Sequence, residues 1–402
     1  INSYSSETLN KLGESQLKNN QPKEAQKNFT TASTLNPDLI NLKINVARSH
    51  LNSREIQEAK TIIWQMDEQN TQNPLVLYYK GIIQLLYKNF DESEAIFEKI
   101  AKIEPKPDQY ILDKNQKILD AYKTFSLYPE GEKLFLQLLL AKAMTDNEEY
   151  AASIPLLFDT LNKKNNYRDA WIVLGFAYLN TDQPKEAIEA FEQAKELTPE
   201  KPETLFFLGL AHFANNEIDK AIHYIEKADI NGFEPKDQIK LKLGDLYLLK
   251  KEYTKSAQSY EKVISLNPQK IEVFTRAVWL NIDKLNKPEK ALSLALKSLE
   301  THPDNAMSYN LIGWSYTAMN EFEKAQENLE TALSLDRKLD AAYLNLGWLY
   351  EKQNQSKLAK EYYKKAYSLG KGNSISNLAA VRFNKLKELD SQQNYKVDVS
   401  SR

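Results

Sequence analysis

Glycine is scarce in this chain, 11 among 402 residues, yet its spacing is ordered. Gly175, Gly209, Gly244, Gly313 and Gly347 follow one another at 34, 35, 69 and 34 residues. The gap of 69 is two periods, and the missing glycine falls near Val278 and Trp279. A beat of this length is far longer than a helical turn or a strand alternation. It belongs to a helix–turn–helix unit stacked on copies of itself, in which each copy buries its apolar face only against its neighbours.

The unit is clearest over residues 169–199. Trp171, Leu174, Gly175 and Tyr178 fall at i, i+3, i+4 and i+7, one stripe of a first helix. Asp182, Gln183 and Pro184 make a turn in which the proline opens a second helix. Ala187, Phe191 and Ala194 form the inner stripe of that second helix, and Pro199 ends it. Glycine and alanine let two helix backbones approach closely, and Phe191 is the bulky group that fills the space beside them. With these eight positions filled, the segment resembles the tetratricopeptide repeat.

The other copies follow the same pattern. Gly209, Ala221 and Ala228 mark one, and Gly244, Tyr247, Tyr260 and Pro268 the next. Phe274, Ala291 and Pro303 belong to a copy with no glycine and one extra residue, expected in its turn. Gly313, Tyr316, Ala325 and Ala332 mark the fifth, and Gly347, Tyr350, Ala359, Tyr363 and Ala366 the sixth. Upstream, Gly13 with Phe29, Ala47 with Ile63, and Gly81 with Phe97 begin three more. The resemblance implies an all-α fold, a right-handed α-solenoid of antiparallel helix pairs.

The expected organisation is three repeats over 1–105, irregular helices and a degenerate repeat over 106–165, and a six-repeat array over 166–374. A capping helix over 375–389 and a polar, frayed tail over 390–402 complete it. Within the irregular part, Gln109 to Phe125 reads as one inserted helix with Ile111, Ile118, Leu119 and Tyr122 on its apolar side. Either that helix stands unpaired and divides the chain into an arm and an array, or it belongs to a diverged pair. A last repeat has no following neighbour, so a helix with a polar outer face is needed to cover it.

Composition removes several function classes. There is no cysteine, which excludes disulfides, thiol nucleophiles and sulfur-ligated metals, and four histidines make a histidine-rich centre a poor expectation. Lys+Arg 53 against Asp+Glu 55 lacks the basic excess of a nucleic-acid binder. His50 and His212 stand at the tyrosine position of their repeats and read as packing substitutes, and the carboxylates fall where solvated helix faces put them. No apolar run is long enough to span a bilayer. No enzyme activity, cofactor or metal is expected. The start at Ile1 rather than Met fits removal of an upstream signal or anchor, and the lack of cysteine leans toward an exported or membrane-anchored protein of a bacterial envelope, with the cytoplasm as the alternative.

In the family that the chain resembles, first helices line a concave face that holds peptides or helices of partner proteins. The ninth position of each repeat typically faces that groove; here it reads Phe176, Leu210, Asp245, Trp279, Trp314 and Trp348. Three tryptophans in equivalent places of adjacent repeats are candidate anchors, each worth up to ~4–6 kcal/mol if fully covered. Phe176, Phe206, Leu210 and Phe213 would extend the apolar track; of the six apolar residues Ile172, Leu179, Phe206, Phe213, Leu241 and Leu248 on this face, about half are expected to be core. The other reading of the indoles is packing against the neighbouring helix. The family's clamp for a C-terminal carboxylate needs Lys and Asn where this chain has Ile172 with Phe176, Phe206 with Leu210, and Asn310 with Trp314. The expected function is therefore a non-enzymatic scaffold or adaptor holding a protein or peptide in an apolar groove. A carbohydrate binder of the cell envelope using the tryptophan ladder, or the substrate-recruiting part of a larger enzyme or assembly, are the alternatives.

Overall fold

The computed structural model describes residues 5–69, 72–128 and 132–400, with side chains described through residue 390. The described residues form helices and turns, without a strand among them. They gather into two compact units, 1–231 and 232–402. Unit 1 contains α1 (Ser6–Lys18), α2 (Pro22–Leu35), α3 (Ile40–Asn52), α4 (Ile56–Gln69), α5 (Pro74–Leu86), α6 (Phe90–Ala101), α7 (Gln109–Ser126), α8 (Lys133–Asp146), α9 (Tyr150–Lys163), α10 (Arg168–Asn180), α11 (Pro184–Leu197), α12 (Pro202–Ala214) and α13 (Ile218–Ile230). Unit 2 contains α14 (Lys236–Leu249), α15 (Tyr253–Leu266), α16 (Ile271–Trp279), α17 (Pro288–Thr301), α18 (Ala306–Met319), α19 (Phe322–Leu335), α20 (Asp340–Lys352), α21 (Ser356–Gly370) and α22 (Ser374–Ser400).

One contact recurs in nearly every pair and explains the glycine beat. A methyl group on Gly175 would lie 2.7 Å from Cε1 of Phe191, and one on Gly347 would lie 2.5 Å from Cε1 of Tyr363. Both rings are fully buried, and the alanines around them, Ala187 and Ala194 or Ala359 and Ala366, have no exposure. The aromatic knob therefore sits directly on the facing backbone, at a distance that no side chain other than hydrogen allows.

The turns between paired helices are equally repetitive. The backbone N–H of Gln183 donates to the carbonyl of Tyr178 at 3.0 Å, five residues back, while Asp182 between them takes a left-handed φ of 54°. This is a Schellman-type stop, which satisfies orphan carbonyls at a helix end. The same bond joins Gln21 to Gln16, Glu217 to His212 and Gln355 to Tyr350, each at 2.8 Å. In the copy without glycine, the Lys287 N–H reaches Asn281, six residues back, at 2.7 Å. Its extra residue, expected in the turn, lies instead inside the helix: α16 passes into a π-helical turn over Leu280–Lys284. A wider helical turn absorbs one residue and leaves the next repeat in phase.

The inserted helix α7 packs between α6 and α8. Tyr122 donates its hydroxyl to the Phe90 carbonyl at 2.9 Å, and Asn115 donates to the Phe97 carbonyl at 3.0 Å. Ile118 is fully buried. So bound in, α7 does not divide the chain, and the boundary between compact units falls after Asn231 instead. Unit 1 also closes on itself: Asn20, in the first turn, donates to the Thr181 carbonyl, and Arg54 donates to Gln183 at 3.2 Å. In unit 2, α22 covers α21, with Ser376 and Ala379 fully buried. The helix runs on to Ser400, through the tail expected to be frayed.

Gly175→Val is expected to lower the free energy of unfolding by about 2–3 kcal/mol, the size of an overpacked core site. Urea unfolding followed by circular dichroism measures it; an unmoved midpoint would show that α10 and α11 can separate without loss.

Candidate functional site

The 34–35-residue register brings three indoles to one place in unit 2. Trp279 ends α16, Trp314 lies in α18 and Trp348 in α20, and all three line a cavity of about 520 Å³. Each is half-buried and lines this cavity. The wall is completed by Asp283 of the π-helical turn, Asn310, Leu344, Asn345 and the first turns of α22, including Ile375, Leu378 and Arg382. Arg382 follows Trp348 by 34 residues, so α22 continues the ninth-position ladder as a fourth rung with a guanidinium in place of an indole.

Most polar groups of this wall are already engaged. Asn345 donates to the Asn310 side-chain carbonyl at 2.9 Å. One Asp340 oxygen accepts from the Ala341 N–H at 2.8 Å, and the other accepts from Asn373 at 2.7 Å. Arg382 lies 5.8 Å from the centre of the Trp348 ring and donates to Glu351 at 3.3 Å. Glu351 also accepts from the buried Tyr363 hydroxyl, whose pKa is pushed far up by burial and then by this carboxylate. Lys284 lies over Trp279 at 5.5 Å and Lys352 over Trp348 at 5.2 Å, contacts in which a cation meets the negative ring face. Burial holds the Asp283 carboxyl above the usual range, against the fields of Arg382 and Lys284 and the nearby Trp279 indole, which pull it down.

Comparison with known proteins agrees with this architecture. Models described as tetratricopeptide repeats match residues 168–201, and then 202–229, 238–270, 306–339 and 340–370. The chain is a tetratricopeptide repeat protein. Human superkiller complex protein 3 is 30% identical over 131 residues, 29% of this chain and 8% of that protein. Anaphase-promoting complex subunit 3 of Schizosaccharomyces pombe is 30% identical over 105 residues, 25% of this chain and 15% of that protein. The chain thus spans a small part of the length of either relative. The C-terminal part of a TPR repeat-containing protein from Cytophaga hutchinsonii, a solved structure, shares 17% identity with a TM-score of 0.48, covering 60% of this chain and 98% of that one.

The helix pairs of unit 1 present a different inner face. The turn between α8 and α9 is buried there, with Asn147 at 1% and Glu149 at 8% exposure. Glu149 accepts from Lys114 at 2.9 Å, and Tyr79 donates to it at 3.4 Å. Asn147 donates to the Tyr78 hydroxyl at 3.2 Å and to the Lys114 carbonyl at 2.8 Å. Nearby, Arg48 joins Glu14 at 2.9 Å. Carboxylates were expected on solvated faces, and Glu149 is the exception: the chain's own turn occupies the interior of this unit. Burial, the largest single influence, pushes Lys114 down, but the field and hydrogen bond of Glu149 together with the fields of Tyr79 and Tyr110 outweigh it and hold the ammonium above the ordinary lysine range. Burial and the same carboxylate push Tyr78 and Tyr79 well up.

The remaining track residues, Phe176, Phe206, Leu210 and Phe213, belong to unit 1, whereas the indoles belong to unit 2. Phe176 is half-buried, edge-on to Tyr150 at 6.1 Å and to Phe207 at 5.7 Å. Leu210 and Phe213 are half-buried on α12. Phe206 corrects the expectation: at 2% exposure, edge-on to Phe207 at 5.9 Å, it is core and offers no surface to a partner. His212 is 4% exposed, stacked on Tyr224 at 5.2 Å and bonded to Glu217 at 2.5 Å, filling the place of a tyrosine. Among the described residues no cluster suits a metal, and no helix is long and apolar enough to cross a membrane. Arg382 and Asp283 escaped the sequence reading. The 34-residue spacing could have found Arg382; nothing in the period marks Asp283.

Glu149→Gln is expected to cost about 3 kcal/mol of stability, because it leaves the Lys114 ammonium buried without its counter-charge. Replacing both with Met and Leu should recover most of that loss, as chemical denaturation would register. The raised Lys114, Tyr78 and Tyr79 groups also fix the pH response. Their stabilisation is complete below the unfolded values, about 10 for tyrosine and about 10.4 for lysine, and is lost as pH rises beyond them. The melting temperature should be level from pH 7 to 9 and fall above about 10; a level profile to pH 11 would contradict the network.

Proposed function

We propose that this tetratricopeptide repeat protein is a non-enzymatic interaction scaffold whose second unit holds a peptide or helix of a partner protein across Trp279, Trp314 and Trp348. The observation that carries the reading is the shared cavity: three indoles from three successive repeats keep accessible faces on one wall instead of burying them in separate cores. Large aromatic faces open to water are a cost that a partner removes, and tryptophan is the residue most enriched where binding energy concentrates. A cavity of about 520 Å³ has the size of a pocket for a few side chains. The names of the two relatives, subunits of multiprotein complexes, point the same way.

Unit 1 serves differently in this reading. With its inner face filled by the α8–α9 turn, it supports the chain and presents outer surfaces, leaving the groove role to unit 2.

Trp314→Ala is expected to weaken peptides selected from a display library on the intact chain by tenfold or more, while moving the melting temperature by less than about 3 °C. Fluorescence anisotropy and thermal melts measure the two effects. Unchanged affinity would remove the indole wall from the binding surface, and selective binding of oligosaccharides in place of peptides would replace the reading.

A further inference from the structure

The groove of unit 2 has an electrostatic asymmetry that bears on the chemistry of its occupant. Asp283 lines the cavity beside the Trp279 indole, and the fields of Arg382 and Lys284 reach it, yet among the described residues no cation sits in ion-pair contact with it. The direct contacts of its neighbours in the wall are made elsewhere: Asp340 with Ala341 and Asn373, Asn310 with Asn345, and Arg382, whose field still reaches Asp283, with Glu351 and the Trp348 ring. Two of the three indoles already carry a cation of the chain on one face, Trp279 with Lys284 and Trp348 with Lys352. The central one, Trp314, has none over it among the described residues.

We propose that the occupant of this groove presents a basic side chain, lysine or arginine, whose charge pairs with Asp283 and whose aliphatic stem lies on Trp314. The inference rests on the groove reading above and deepens it. A long basic side chain matches both parts of the wall, since its stem buries on apolar surface while its head meets a carboxylate. An acidic group would meet Asp283 and Asp340 and could gain Arg382 only by taking it from Glu351. A neutral occupant would cover an exposed carboxylate without replacing the water it loses, which is costly. The location of Asp283 adds a separate observation. It lies in the π-helical turn Leu280–Lys284, a departure from regular helix of the kind that often accompanies functional sites.

The test uses the intact chain and a displayed library of random twelve-residue peptides, selected on the wild-type protein and counter-selected on Trp314→Ala. Enriched peptides should share a lysine or arginine. Replacing that residue with norleucine or citrulline should weaken binding about tenfold to a hundredfold. Asp283→Asn, which keeps an acceptor for the Trp279 indole, should weaken it to the same extent, and the two changes together should cost little more than either alone. Enriched peptides that are acidic or uncharged, or an Asp283→Asn variant of equal melting temperature and undiminished affinity, would overturn the inference and leave the groove reading standing. A library that yields no Trp314-dependent binder would overturn both.

Discussion

The approach of an aromatic ring to bare backbone, repeated along the chain, is the constraint from which the rest follows. Where Phe191 rests on Gly175 and Tyr363 on Gly347, the distance between paired helices is set by a ring lying on a hydrogen atom. Alanines on the second helix maintain that distance, and the Schellman-type turn returns the chain at a constant phase. Once spacing and phase are constant, any position of the repeat recurs at a fixed place in space. Trp279, Trp314 and Trp348 can line one cavity only because the glycine contacts and turns beneath them are uniform.

The exception within this regularity is informative. The copy between Ile271 and Pro303 lacks glycine and carries an additional residue, and the π-helical turn takes it up before the chain reverses. The reversal still occurs through a backbone bond, now reaching one residue further back. Helical hydrogen bonding stretches locally so that packing on both sides remains in register.

Legibility followed period. Every element whose packing repeats was visible in the sequence, because glycine, alanine and proline at fixed offsets leave few alternatives. The inserted helix was visible from its own apolar stripe of Ile111, Ile118 and Tyr122. The burial of Phe206, by contrast, could not be separated from that of Leu210 and Phe213, since all are large apolar groups on a helix that is apolar almost all round. Glu149 was illegible for another reason. Nothing in its local sequence distinguishes it from an exposed carboxylate at a helix start, and its partners Lys114 and Tyr79 lie 35 and 70 residues away. Long-range closure of an irregular segment has no period to announce it.

The two inner faces differ in what a substitution there can do. In unit 1 the interior is occupied by the chain's own turn and its ionic partners, so a change at Tyr79, Lys114 or Glu149 is first a change in folding free energy. In unit 2 the wall remains half-open, so in the proposed reading a change at Trp314 or Asp283 alters recognition while the scaffold beneath it persists. One repeat architecture thereby separates positions that are free to drift with a ligand from positions bound to the integrity of the molecule. Variation among related chains should sort along that line, frequent on the open wall and sparse around the plug.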